Sequence, residues 1–315
     1  MNRYSGVLQR FFLSPASGEP LAFFRIGTAF IGLVQGCWWL GNVVMLYGMN
    51  GLIPWELSKG IVSPLPPQPS WLQPLAAATG IPGDSMMYIL MGVYLMCLIF
   101  LLMGMFSRVA AIVACGLHLV FINTGFLAAY GVEPFLHIAL FYCILMPVGE
   151  SFTWKNNESS VSEWNRLSIR VLQIHLCIVY VAAGVDKAME AQWWNGDAIW
   201  QMVRQGGDMQ WLAGYPWVAK AICWCTLLIE MGYPVFIWWR KARVYAYVLM
   251  VLLLVGISVF MGLQLFAGMM IVFSTAAFGW AYIAQVYGGL IRPLRERRML
   301  RRAEVLATQA FWSLE

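Results

Sequence analysis

The hydrophobic positions of this chain fall into long unbroken runs, unlike the one-sided or alternating patterns of a soluble fold. No charged residue lies between Arg25 and Glu56, between Asp84 and Arg108, or between Arg108 and Glu133. The stretch from Arg243 to Arg292 encloses 48 uncharged positions. A helix crossing a bilayer needs about 20 apolar residues, so that stretch alone accommodates two. The pattern predicts eight spans, near residues 21–46, 86–105, 109–126, 134–148, 169–186, 218–238, 244–261 and 265–286. A membrane β-barrel would show short alternating segments instead. Lipid cannot satisfy an open backbone, so these runs are expected to be helical. The expected fold class is all-α, a polytopic transmembrane helical bundle of about eight spans.

Composition removes the competing classes. Of 315 residues, 61% are apolar and 11% charged, against about 25% charged in a soluble domain. Fifteen acidic and twenty basic residues cannot clothe a soluble protein of this size, and the apolar excess excludes a disordered chain.

The placement of charge predicts orientation. With the N-terminus inside, the cytoplasmic segments hold Arg3, Arg10, Arg108, Lys155, Arg166, Arg170, Arg240, Lys241, Arg243 and six arginines from Arg292 to Arg302, fifteen of the twenty basic residues. The other face holds Lys59, Lys187, Arg204 and Lys220. Acidic residues show no such bias, as a rule that counts Lys and Arg predicts. Both termini are then cytoplasmic, in a bacterial inner (cytoplasmic) membrane. Residues 1–290 form the transmembrane domain, with non-cytoplasmic loops near 47–84 and 187–217, and 291–315 form a basic cytoplasmic tail. Following a span, that tail reads as a membrane anchor, and nucleic acid is not an expected partner. Met1 to Leu21 lacks the pattern of a cleaved signal, so the first span is expected to be retained.

The first long loop is proline-rich (Pro64, Pro66, Pro67, Pro69, Pro74) and reads as a stiff cover. The second carries Trp193, Trp194, Trp200, Trp211 and Trp217, which read as interface anchors or as a lid over a buried site. The seven cysteines all lie in apolar runs and read as buried free thiols. The sequon at Asn157 falls on the cytoplasmic side and is set aside. Phosphate-loop, dinucleotide, nucleophile-elbow and zinc-protease patterns are missing, and no metal site is expected.

An ionisable residue within a span is costly, so it should face the bundle interior, pair, or work. Arg25, His118, His137, His175, Lys187 and Glu230 are the candidates. Lys187 follows Tyr180, Ala183 and Gly184 on one helical face. Small neighbours leave room for something to approach its amine. Desolvation disfavours an ammonium, so a lysine in an apolar pocket can serve as a base near neutrality. The alternative is a lysine that reaches out to the interface. Glu230 sits midway through the sixth span and Arg25 in the first, where a buried Arg–Glu pair would tie helices together. The histidines read individually as interhelical hydrogen-bonding groups.

Four stretches resemble the HTTM domain family, bacterial relatives of the vitamin K-dependent gamma-carboxylase. They are Leu21-Ala-Phe-Phe-Arg25-Ile-Gly27 with Gly51-Leu-Ile-Pro54; Leu145-Met-Pro147-Val-Gly149; Ile178 through Lys187 followed by Trp193-Trp-Asn-Gly196; and Glu230 through Pro234 with Gly262-Leu-Gln-Leu-Phe266. The third is the most specific. The resemblance implies Lys187 as catalytic base; Tyr180, Glu230, Arg25, His175, His137, Glu133 and Trp193 are the candidate supporting or pocket residues around it. The implied cofactor is reduced vitamin K (menaquinol-like) or another lipid quinol, with O2 and CO2 as co-substrates. Oxidation of the quinol would drive proton abstraction from a peptide substrate and its carboxylation. Membrane lipid, a secreted peptide or protein, and a small membrane or periplasmic protein are the implied partners. Leu254 stands near a position where many members carry a histidine, and Glu133 or His137 lies near that of a helper histidine. Two other readings stay open: a non-catalytic factor for maturation, export or immunity of a secreted peptide, and a small-molecule transporter.

Overall fold

The charge-free runs are wound into helices. The computed structural model describes residues 3–57, 67, 71, 73–125, 129–154, 160–204 and 214–285. In chain order these form α1 (Arg3–Leu13), α2 (Glu19–Gly41), α3 (Val43–Tyr47), α4 (Gln73–Thr79), α5 (Gly83–Met103), α6 (Ser107–Thr124), α7 (Val132–Leu145), α8 (Glu163–Met189), α9 (Ala191–Asn195), α10 (Asp197–Arg204), α11 (Pro216–Trp238), α12 (Arg243–Met261) and α13 (Gln264–Ser274). Among the described residues, seven helices are long and apolar enough to cross a membrane: α2, α5, α6, α8, α11, α12 and Gln264–Gln285, which α13 begins. The protein is an all-α, multi-pass membrane bundle. The β structure among the described residues is one antiparallel pair of two-residue strands, β1 (Ala16–Ser17) and β2 (Val161–Ser162).

The expected fourth span is the exception in length. Helix α7 has 14 residues, about 21 Å of helix against a hydrocarbon core of about 30 Å. It still carries the chain from one end of the bundle to the other. Near its start, Glu133 accepts a 3.0 Å hydrogen bond from Gln35, far along α2. Just past its end, the carbonyls of Val148, Ser151 and Phe152 accept from Arg25, in the second turn of α2. Helix α7 therefore runs antiparallel to α2. The extended Met146 and the buried Val148 lengthen the crossing. Non-helical backbone at membrane depth persists only where protein satisfies it, and Arg25 is the donor that does so here.

The other connections sort to the same two ends. Trp154 N–H donates to the Met103 carbonyl at the end of α5. The β1–β2 pair joins the chain before α2 to the chain before α8. Arg166 Nε donates to the Ser14 carbonyl. At the opposite end, Trp55 Nε1 donates to the Tyr47 carbonyl, and Asp84 accepts from Met49 N–H. A Cβ on Gly125, after α6, would lie 2.6 Å from the Tyr47 ring. Arg10, Arg108, Arg166 and Arg170 thus belong to one end and Lys187 to the other.

Helix α1 is an element that the apolar runs did not announce. It packs on α8, with the Arg170 guanidinium 3.9 Å from the centre of the Phe11 ring. The chain divides into units Met1–Ala277 and Phe278–Glu315, and the described part of the second, 278–285, is helical. Lys59, Lys155, Pro64, Pro66, Pro69, Trp211, the sequon at Asn157 and the basic tail 291–315 lie outside the described residues.

Candidate functional site

The site is set by how closely α8 approaches α11. Gly184 of α8 faces α11 without a side chain. A Cβ there would lie 2.7 Å from Met231 Cγ, 3.1 Å from Met231 N and 3.3 Å from Glu230 Cβ. The small residues before Lys187 therefore make room for the neighbouring helix, which brings Glu230 with it. One turn after Gly184, Lys187 Nζ donates to Glu230 Oε2 at 2.8 Å and Oε1 at 3.0 Å. Lys187 Nζ also donates to the Ala183 carbonyl at 3.4 Å. The Lys187 side chain is 24% exposed and that of Glu230 7%. Lys187 therefore does not reach out to solvent as an interfacial lysine would.

Pro234 adds a local irregularity on the same helix. It has no N–H to give the Glu230 carbonyl one turn earlier.

The segment after α8 closes over this pair. The Trp193 ring of α9 lies with its centre 5.5 Å from Lys187 Nζ, within cation–π range. Trp194 Nε1 donates to the Ala188 carbonyl, and Trp224 Nε1 of α11 donates to the Trp194 carbonyl. Gly196 makes the turn into α10 at φ 91°, where a Cβ would meet Lys220 Cα at 2.7 Å. The Trp-Trp-Asn-Gly stretch is thus pinned onto the start of α11.

Beside the pair lies a cavity of about 550 Å³ between α8, α11, α12 and α13. Phe135, Ile199, Met202, Ile257, Phe266 and Met270 contribute to its apolar wall, and Trp193 also lines it. Its polar side chains, apart from the Trp193 indole, are Lys187, Glu230, Tyr180 and Thr226. The Tyr180 hydroxyl is engaged with Ser274 Oγ at 3.1 Å, and that of Thr226 donates to the Ile222 carbonyl at 2.9 Å. The charged pair is therefore the polar feature a guest would meet. Helix α12 buries only Ala246, Met250 and Leu254. Exposed Leu252, Phe260 and Met261 of that helix also border the cavity, so the space opens towards the lipid-facing side.

The structure brings together four of the sequence candidates: Lys187, Glu230, Tyr180 and Trp193. It sets the other four elsewhere. Arg25 is fully buried, and its donors go to backbone carbonyls at 2.8, 3.3 and 2.7 Å. The helix-tying partner of Glu230 is therefore Lys187, and the expected Arg25–Glu230 pair does not form. Glu133 caps the start of α7 by accepting from Tyr130 and Gly131 N–H. His137 stacks on His118 with centroids 5.7 Å apart. His175 meets the rings of Tyr142 and Phe273 edge-on.

Phe135, between Glu133 and His137, does reach the cavity wall, as does Leu254. The Ile199 and Met202 contributions of α10 went unread in the sequence; the apolar stripe in Asp197–Arg204 was the available signal. Among the described residues no group of three His, Cys, Asp or Glu is arranged to hold a metal.

Comparison with protein-family models, with curated proteins and with solved structures gave no match for this chain.

Proposed function

We propose that this protein is a membrane-embedded enzyme of the gamma-carboxylase type, which takes a lipid quinol into the α8–α13 cavity and uses Lys187 as general base. The observation that carries the reading is the Lys187–Glu230 pair set in the wall of an apolar cavity between bilayer-length helices. Its volume of about 550 Å³ is within the range of small-molecule sites. The residues fit an amphipathic guest. A hydroxylated head group meets the charged pair, and a hydrocarbon tail follows Ile257, Phe266 and the lipid-side opening.

Lys187 can act as a base only as the free amine. Glu230 is placed to take the ammonium proton across 2.8 Å, leaving a neutral amine beside a neutral acid. That transfer moves one proton and leaves no net charge in the cavity. The amine can then accept a hydroxyl proton from the guest, with the apolar wall excluding competing water. Tyr180, Thr226 and Trp193 bound the space in which the head group would turn. When bound, a quinol would supply its own oxidation by dioxygen, one oxygen atom ending in the quinone epoxide and the other in water, as the driving force for removing a weakly acidic C–H proton from a peptide substrate, with carbon dioxide as the electrophile. Under this reading the basic end of the bundle faces the cytoplasm of a bacterium, and Lys187 lies near the opposite face of its inner membrane.

The test is quinol-dependent oxygen uptake by purified protein in lipid nanodiscs, alongside identification of copurified lipids. Lys187→Ala is expected to abolish uptake while the protein remains folded. Full uptake by a folded Lys187→Ala variant overturns the reading.

A second reading rests on the two-oxygen contact itself. Glu230 holds Lys187 through both carboxylate oxygens, as a structural tie in a non-catalytic membrane factor for peptide maturation, export or immunity would. The exchanged pair Lys187→Glu/Glu230→Lys separates the two, since it keeps a tie and moves the base.

A further inference from the structure

At the end of the bundle opposite Lys187, three arginines converge with no carboxylate paired to them among the described residues. Arg166 and Arg170 lie one turn apart on α8, on one face. Arg166 Nε is bound to the Ser14 carbonyl at 2.9 Å, and Arg170 Nε to the Phe11 carbonyl at 3.0 Å. Arg243, the first residue of α12, holds the Ile237 carbonyl at 3.0 Å through its own Nε. Phe11 and Trp238 pack together with centroids 5.6 Å apart, and the Arg170 guanidinium lies over both rings, at 3.9 and 5.3 Å. Arg166 and Arg243 are both near enough to Arg170 to repel it. Among the described residues, none of the three forms a salt bridge with a carboxylate.

Each Nε bond to a carbonyl orients a guanidinium, and among the described residues the one further side-chain bond from these groups is Arg170 to Gln173 at 2.7 Å. Three oriented forks with no carboxylate bound to them among the described residues match a phosphate, which takes bidentate contacts from arginine.

The surroundings select the source of that phosphate. Beyond Arg170, the same face of α8 carries Ile174 and Ile178 at four-residue spacing, followed by Val181 and Val185. All four are exposed, on a helix long and apolar enough to cross the membrane. A charged head thus stands at the top of a lipid-facing aliphatic stripe, the layout of a phospholipid seen end to end.

We propose that Arg166, Arg170 and Arg243 form a binding site for one anionic phospholipid, with its phosphate at the guanidinium groups and an acyl chain along Ile174 and Ile178. The site is separate from the cavity at Lys187, and its occupation does not depend on the reading given for that cavity.

Native mass spectrometry of the full-length protein in detergent tests this. The probes are dioleoyl phosphatidylglycerol, dioleoyl phosphatidylcholine and inorganic phosphate. Phosphatidylglycerol should be retained in preference to phosphatidylcholine, and phosphate alone should not compete at millimolar concentration. The Arg166→Gln/Arg243→Gln variant should lose that preference, by roughly fivefold for each arginine removed. Arg170 is left in place because it also packs α1 against α8. If the double variant does not fold, the wild-type comparison decides. Equal retention of the two lipids overturns the proposal. So does competition by free phosphate, which would make the cluster a site for small anions, or an unchanged preference in a folded double variant.

Discussion

Gly184 and Met231 touch where α8 crosses α11, and this contact sets the distance at which Lys187 meets Glu230. A Cβ at 184 would lie 2.7 Å from Met231 Cγ and 3.1 Å from Met231 N, so that the backbone of α11 as well as a side chain stands in its way. Helix separation and the ion pair are therefore one geometric quantity.

Gly184→Ala should loosen the pair by pushing the helices apart. An overpacked contact of this kind costs about 1–3 kcal/mol. Gly184→Val should cost more. Thermal unfolding in nanodiscs reads the loss. A Gly184→Val protein as stable as wild type would show that α11 does not rest on this glycine.

Removing either charge alone leaves the other buried and unpaired. Lys187→Met and Glu230→Leu should each destabilise the bundle by about 3–5 kcal/mol, and the double substitution should recover much of that. The exchanged pair Lys187→Glu/Glu230→Lys distinguishes a tie from a base. It should restore the melting temperature but not quinol-dependent oxygen uptake. Restoration of both would place the chemistry elsewhere.

Filling the cavity should separate binding from stability. Ile257 lines the space on α12, a helix with few buried residues. Ile257→Trp should reduce retention of a lipid quinol at least about tenfold, by displacing the volume its tail requires, with little change in melting temperature. Undiminished quinone content by mass spectrometry would count against the cavity as its site.

Arg25→Met would leave the Val148 and Ser151 carbonyls without their buried donor. The expected cost is about 3 kcal/mol or more, since unpaired buried polar groups carry their full desolvation penalty. Arg25→Lys should be intermediate, because an ammonium does not reproduce the guanidinium fork. Protease sensitivity of the segment after α7 should rise in both variants. Equal protection of wild type and Arg25→Met would show that the loop is held by other contacts.

Gly196→Ala tests the attachment of the Trp193 segment. The left-handed φ costs about 1–2 kcal/mol for a residue with a Cβ, and that Cβ would also strike Lys220. Trp193 should lose its position over Lys187, seen as a red shift and faster quenching of its fluorescence in a protein keeping that tryptophan as reporter. An unaltered spectrum would mean that the turn tolerates the change.

The spans were legible because lipid imposes a length and a composition that few other contexts demand. Lys187 and Glu230 stood out for the same reason: charge is scarce in such runs. Their pairing was not legible, since helix periodicity gives the face of each residue but not which helix stands opposite. Small residues at 183 and 184 announced a close approach without saying what approached. The roles of Arg25 and Glu133 were hidden because both bind backbone groups of distant or irregular segments, which carry no side-chain pattern. Helix α1 escaped notice because it is short and one-sided, and α10 because its apolar stripe is interrupted by Asp197, Gln201 and Arg204.

Arg25 also imposes an order on biogenesis. Its acceptors lie 123, 126 and 127 residues further along the chain. At translation rates of about 5–20 residues per second, roughly 6–25 s separate synthesis of the arginine from synthesis of the carbonyls that receive it. During that interval the guanidinium in the second turn of α2 lacks its native carbonyl partners. Until the segment after α7 is made, hydration near the membrane interface is what can satisfy that guanidinium. Completion of that segment, rather than of α2, supplies the native partners of Arg25.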